Sequence, residues 1–512
     1  MQSKIPDKYL YFPIISLAIF LLYKIIQFYK ILNYFPFAIG DLSQRMAQFF
    51  LFTKYGFLQN VPVWYDGFLS LKFYPPMWYF FNYPIQIITQ NINATIFVSL
   101  SLILVISFLF ISSFGKLVNL SFTKRIAIFF LFFSSPLVID QIFNIGKFPE
   151  FFGWMLFIPL FFIFVYYKDR KLDRWFFMSL AIFYSLILLT HPFLWPGVSF
   201  FFFGLFLVKG IKDKIKIIIA IALSLLLVSF WLVPFLTGIN DGDTGCKFIC
   251  FNIEDYIRST EVSYHHTNPL RELLLPGSII SFSTFISIGF LIMFYLYWNY
   301  RKMDRRELLF YSPLMFLSIA ILTRLIIFLP ILNKTPVNPY NTLLLFSTLF
   351  LFLNTEYKRF KFLAVLLVFL IPLIFVFANI YLIEDETLKY KPLDEEFIGI
   401  SEDINLRYMF VIPMDRRNGY LESPHVSYIT ITKPELTTPF GGFSNAARRG
   451  LLEELNLIMK DFEKLDCESA VKRAKEFDVG ELVGYPESCP LMKKCNLELK
   501  KETDNYCIYL VG

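Results

Sequence analysis

Five stretches of the chain carry residues that could do chemistry. The first is Asp41-Leu-Ser-Gln-Arg-Met-Ala-Gln-Phe-Phe. A carboxylate at the mouth of an apolar cavity can be tuned to take a proton from a hydroxyl. Asp41 followed by Gln44 is also the pattern of a capping box, and the two roles can coexist. The second is Asp140-Gln-Ile-Phe-Asn-Ile-Gly146-Lys147-Phe-Pro149-Glu150. Glu150 and Lys147 could contact a polar substrate, or anchor a helix start, where an acid suits the dipole. Asp140, near the end of an apolar run, is a functional candidate because acids there are costly, or it snorkels outward. The third is Arg324, inside Leu-Thr-Arg-Leu-Ile-Ile-Phe-Leu-Pro. A buried guanidinium needs an anion, either a phosphate held bidentately or Asp140 or Glu150. The fourth is His191, before Pro192, a second base or phosphate donor, or a satisfied residue at the end of a span. The fifth is Cys246-x3-Cys250 with His265 and His266, readable as a zinc site or as a disulfide. Asp66 before Gly67 reads as a turn residue.

These residues sit in a chain that no soluble core could hold. Of 512 residues, 56% are apolar and 17% charged, with 64 Phe and 29 Tyr. An ordinary soluble domain is 45–50% apolar. Disorder is excluded by the aromatic content, collagen by 22 Gly, and nucleic-acid binding by the lack of a basic soluble face. The expected class is an α-helical polytopic membrane protein with about eleven spans. The apolar runs are Tyr9–Tyr29, Ala94–Phe114, Ile126–Phe143, Phe148–Tyr167, Trp175–Thr190, Phe193–Val208, Ile217–Leu236, Ile279–Trp298, Leu308–Leu329, Tyr340–Leu353 and Phe362–Ile383. Pro192, Pro196 and Gly197 mark either a tight turn or a kink.

Five alternate loops are basic: Lys116 to Arg125, Lys168 to Arg174, Lys209 to Lys216, Arg301 to Arg306, and Lys358 to Lys361. Placed in the cytoplasm, they put the N-terminus inside and the C-terminus outside the cell membrane. Lys24, Lys30 and Lys54 around the first span oppose this, and the five loops outweigh them. Every cysteine then faces an oxidising space: Cys246 and Cys250 in the loop 238–277, and Cys467, Cys489, Cys495 and Cys507 in the tail. An even count there fits disulfides, with the pairing left open. The expected domains are a transmembrane part, 1–383, and an exoplasmic soluble part, 384–512. The first outer loop, 30–93, carries two short interfacial helices, one from Asp41 and one from Pro75-Pro76 to about Gln90. In the tail, Tyr408–Ile412 and Glu481–Tyr485 read as strands, Ala446–Leu465 and Ser469–Phe477 as helices, and Leu497–Lys501 with Tyr506–Val511 as a hairpin. That is a small α/β or α+β module.

A first span followed by an outer loop with an acid and two interfacial helices resembles the GT-C superfamily of membrane glycosyltransferases. Gly40-Asp41, Trp64, Gly67 and Tyr74-Pro75-Pro76 resemble the first-loop pattern of its 6-pyruvoyl-tetrahydropterin-synthase-related (PTPS-related) group. Gly146-x-x-Pro149-Glu150, His191 and Lys475-Glu-Phe-Asp-Val479-Gly-Glu-Leu-Val483 continue the likeness. The resemblance implies a sugar moved, with inversion, from a polyprenyl-phosphate donor to a glycan, lipid or protein acceptor. It implies Asp41 as the base, and Glu150, Lys147, Arg324, His191, Arg45, Tyr74 and Asp140 as substrate contacts. The chain departs from oligosaccharyltransferases in lacking their double-Trp motif, and from metal-bridged pyrophosphate chemistry in lacking Asp-x-Asp in the first loop. A divalent metal is possible and not required. The rival readings are a lipid-linked-glycan flippase or transporter, and a non-catalytic scaffold of the same fold. No internal repeat supports transport.

Overall fold

A computed structural model describes residues 5–36, 40–192, 194–238, 279–301, 304–323, 325–329, 332, 337–355, 361–379, 393–411, 422–441 and 450–512. Arg324, Cys246, Cys250, His265 and His266 lie outside these residues.

The eleven apolar runs all form helix over most of their described length. By length and composition, three helices can cross a membrane alone: Asp7–Leu32, Ile92–Val118 and Phe148–Tyr167. Two bent pairs reach the same length if each is one span. In the first pair, α5 (Phe122–Phe133) meets Pro136–Asn144 at 54°. The break has a local cause. The Ser135 side chain accepts from Val138 N, and Pro136 starts the next helix without needing a donor. In the second pair, α10 (Ile211–Leu227) meets α11 (Ser229–Gly238) at 75°. Four shorter apolar helices, Arg174–Leu188, Leu194–Val208, Thr284–Asn299 and Ala364–Phe377, fall below the spanning length. The stretch around Pro192 is thus a turn between α8 (Arg174–Leu188) and α9 (Leu194–Val208), not a kink in one helix.

At the centre stands α7 (Phe148–Tyr167), buried at every residue from Phe148 to Val165. It packs against α4 (Ile92–Phe114), α8 and α9. Phe157, Phe161, Phe201, Phe346 and Phe350 interlock around it, most at steep edge-to-face angles with centroids 5.0–6.1 Å apart. Such rings add contact energy beyond the area they bury. A polar side chain on α7 is therefore enclosed by protein, not lipid.

The first loop holds α2 (Gly40–Tyr55), the short strands β1 (Asn60–Val61) and β2 (Phe68–Leu69), and α3 (Met77–Thr89). The one-sided apolar pattern of α2 predicts a helix lying on a surface. In the fold α2 is buried from Leu42 to Phe49, because it has a second apolar face. Leu42, Met46 and Phe49 join the helical core. Ala47 and Leu51 join the core of the C-terminal module. By contrast α3 keeps an exposed apolar edge, Tyr83, Ile87 and Ile88.

The C-terminal module has a four-stranded sheet in the order β3 (Tyr408–Val411), β4 (Glu481–Gly484), β6 (Cys507–Leu510), β5 (Glu498–Glu502). β3 and β4 are parallel, with Tyr408 opposite Glu481. β6 runs antiparallel to both its neighbours. Helices Glu422–Thr432, Leu451–Glu463 and Cys467–Glu476 lie in the crossover between the parallel strands. Disulfides Cys467–Cys495 and Cys489–Cys507 close loops of 28 and 18 residues. Closures of this size stabilise by about 3 kcal/mol each. The first loop is built into this module. Trp64 Nε1 donates to Thr430 Oγ1 at 2.8 Å, Thr438 N donates to Val63 O at 2.9 Å, and Arg407 pairs with Asp66. Asp66 does occupy the turn, at φ 61° before Gly67 at φ 105°.

Candidate active site

The polar face of α2 supplies the first part of the site. Asp41, Arg45 and Gln48 recur at helical spacing and share one face. The helix starts at Gly40, one residue before the expected cap, so the Asp41 carboxylate turns to Arg45 instead (Oδ2 to Nη2, 3.6 Å). Arg45 is buried and lies over the Tyr74 ring, Cζ to ring centroid 3.8 Å. Its Nη1 also reaches Gln48 Oε1 at 3.4 Å, and the Tyr79 hydroxyl donates to that same oxygen. The Asp41 side chain is 24% exposed, so a buried cation holds an acid that solvent or a ligand can reach.

Two backbone bonds bring the other loops to this face. Asp41 N donates to Ile145 O at 2.8 Å, tying the start of α2 to the second loop. Met77 N donates to Leu189 O at 2.8 Å, tying the start of α3 to the end of α8. The second bond sets Tyr74 beside His191, ring centroids 6.0 Å apart. In the second loop, Asp140–Asn144 forms a π turn, a feature frequent at functional sites. Gly146 at φ 76° then reverses the chain into α7. Lys147 N is held by Gln141 O at 2.9 Å, and Glu150 sits in the first turn of α7.

The result is a cluster. Tyr74 lies within electrostatic reach of Asp41 and Glu150, Glu150 of Lys147 and Asp41, and His191 of Arg45 and Lys147. Asp140 couples to Lys147 and accepts from Asn144 Nδ2 at 3.1 Å. Burial, with Arg45 and Lys147 nearby, holds the His191 imidazole well below its usual range, so it is neutral at neutral pH. Burial raises the Tyr74 hydroxyl and pushes Tyr79 up to about 12, so both stay protonated donors. One approach is unusually close. A Cβ on Gly153 would lie 2.1 Å from Leu194 Cδ1 and 2.7 Å from Thr190 Oγ1, so the turn bearing His191 presses directly on α7.

Seven of the eight expected site residues thus share one corner of the fold, and the eighth, Arg324, is outside the described residues. Sequence reading passed over Gln48, Tyr79 and Gln141. The spacing of Asp41, Arg45 and Gln48 in an otherwise apolar helix was the available signal for the first. Among the described residues, no three His, Cys, Asp or Glu side chains group as metal ligands.

Residues 71–383 match the family described as 6-pyruvoyl-tetrahydropterin synthase related domain, membrane protein. The chain belongs to this family. The match spans Tyr74, Asp140, Lys147, Glu150 and His191, while Asp41 and Arg45 precede it. No curated protein matches the sequence. The fold of this PTPS-related protein is similar to that of the Archaeoglobus fulgidus oligosaccharyltransferase in the apo form (TM-score 0.50, 10% identity, 91% of this chain and 70% of that one). It is likewise similar to the AglB structure from that organism in complex with an inhibitory peptide and a dolichol-phosphate (TM-score 0.51, 11% identity, 91% and 69%). ArnT from Cupriavidus metallidurans in the apo state is similar over 97% of this chain and 98% of its own (TM-score 0.50, 8% identity). At such identities the likeness is one of fold, and the fold is that of GT-C proteins.

Proposed function

We propose that this PTPS-related protein is a GT-C glycosyltransferase of the cell membrane. It moves a sugar from a polyprenyl-phosphate donor to a glycan, lipid or protein acceptor outside the cytoplasm. The observation that carries this reading is the pairing of a reachable acid with one buried and one half-buried cation. Asp41 is partly exposed while Arg45 is buried beside it, and Lys147 is half-buried in the adjoining loop. Asp41 takes the proton of the acceptor hydroxyl as that oxygen bonds to the anomeric carbon. The bond from that carbon to the phosphate oxygen breaks, and the phosphate keeps the electron pair. Arg45 and Lys147 meet the charge that develops on it, where charge stabilisation counts most. Arg324 is a further candidate for that phosphate. Attack opposite the departing group inverts the sugar.

The proposed arrangement has a transmembrane part, 1–383, and a soluble part, 384–512, facing away from the cytoplasm. Two disulfides in that part support this side, since such bonds persist in oxidising compartments. The ligands named for structures of similar fold, a dolichol-phosphate and a peptide in one case, fit a lipid donor and a separate acceptor. The test is turnover. Purified protein is incubated with polyprenyl-phosphate-linked hexoses and a membrane glycan or lipid extract, and free polyprenyl phosphate is measured. Acceptor-dependent release supports the reading. No release with any hexose, from a protein that is folded, counts against it.

A further inference from the structure

Around the second loop, three buried polar side chains carry polar atoms that no hydrogen bond of ordinary geometry meets among the described residues. Gln141, in the π turn, leaves both its amide oxygen and its amide nitrogen unbonded. Glu150 leaves both carboxylate oxygens unbonded, with the Trp154 side chain beside it but no bond of ordinary geometry. Trp78, in the first turn of α3, leaves its Nε1–H unbonded. Their exposures are 7%, 2% and 0%. They come from one neighbourhood. Gln141 O holds Lys147 N, the Trp78 ring packs on Phe148 at 6.4 Å between centroids, and Phe148 and Glu150 share the first turn of α7. Leaving a buried polar group unmet is costly, and such groups need an explanation. Three together are explained by a ligand that meets them.

The donor and acceptor types say which ligand. The carboxylate and the amide oxygen accept, whereas the amide NH2 and the indole N–H donate. A hydroxyl does both, so this mixed set matches a polyol. It does not match a phosphate, which only accepts and which the Glu150 carboxylate repels. Arg45, the buried cation that suits a phosphate, lies on the polar face of α2, while Lys147 stands within electrostatic reach of Glu150. We infer that Gln141, Glu150 and Trp78 form a sugar-reading subsite, distinct from the phosphate-holding half, that binds the hydroxyls of the transferred hexose. This inference rests on the transferase reading.

The test separates the two halves. Full-length protein in nanodiscs is titrated with polyprenyl phosphate and with its glucosyl, mannosyl and galactosyl forms. Wild type is expected to bind at least one hexosyl form about 10-fold or more tighter than the bare phosphate, the scale of one or two buried hydrogen bonds. Gln141→Leu should erase most of that difference and leave bare-phosphate affinity unchanged, and Glu150→Gln should erase it without weakening bare-phosphate binding, since it removes a charge that repels the phosphate. Ligand-free Gln141→Leu should melt no lower than wild type, because an unmet polar group has been replaced by an apolar one. A lower melting temperature, or equal losses for bare and hexosyl lipids, would make these residues structural or phosphate-binding and overturn the inference. Equal wild-type affinity for all four lipids would also overturn it. Binding of none of them would instead sink the transferase reading on which it rests.

Discussion

Gly153→Ala tests whether the turn at His191 is set by its packing on α7. The added Cβ would stand 2.1 Å from Leu194 Cδ1 and 2.7 Å from Thr190 Oγ1. Ordinary carbon contacts need about 3.5–4 Å, so the turn must retreat by about 1 Å. Neither neighbour yields easily. Leu194 is 1% exposed, and Thr190 is fully buried with its hydroxyl bonded to Ile187 O at 2.7 Å. Overpacking of this kind costs about 1–3 kcal/mol. His191 follows Thr190 directly and leans on Tyr74, which carries Arg45. A misplacement of about 1 Å in a catalytic constellation can cost about 10²-fold in rate. The assay is a thermal melt of the purified variant beside its transfer rate. Turnover should fall about 10- to 100-fold and the melting temperature by a few degrees. Gly210→Ala is the control, since a Cβ there meets nothing within 4 Å. A Gly153→Ala protein with wild-type melting and turnover would show that the close approach does not position the site.

Arg45→Lys keeps the charge but loses the guanidinium contact over the Tyr74 ring and the forked geometry, so polyprenyl-phosphate affinity measured by titration should drop about 10-fold. Impermeant thiol labelling of reduced intact cells should modify Cys467 and Cys495, the half-exposed pair, whereas protection of the tail would reverse the proposed orientation and move the site to the cytoplasm.

The helical class was legible from composition, the first helix of the outer loop from periodicity, and the second from the prolines that open its apolar run. The acid, the cations and the aromatic residues of the site were legible by type. Their convergence was not, because it depends on two backbone bonds, Asp41 N to Ile145 O and Met77 N to Leu189 O, between segments far apart in sequence. Disulfide pairing was equally hidden, since four tail cysteines allow three connectivities. The helix Glu422–Thr432 is hidden in the sequence because the β-branched and aromatic run Val426-Ser-Tyr-Ile-Thr-Ile-Thr432 favours strand, and burial against α2 and β3 overrides that preference. The second apolar face of α2, Ala47 and Leu51, had meaning only once the C-terminal module was docked there.

The central claim is that Asp41 is the base, and Asp41→Asn tests it most directly. Asn is nearly isosteric and can still accept a hydrogen bond, so the α2 helix and the stacked Arg45 should survive, but it cannot take a proton. Transfer rate and donor affinity are measured on the same preparation. The expected result is a melting temperature near wild type, polyprenyl-phosphate-hexose binding within a few-fold of wild type, and turnover lower by about 10²–10⁴-fold. Turnover close to wild type would remove Asp41 from the chemistry and contradict the account.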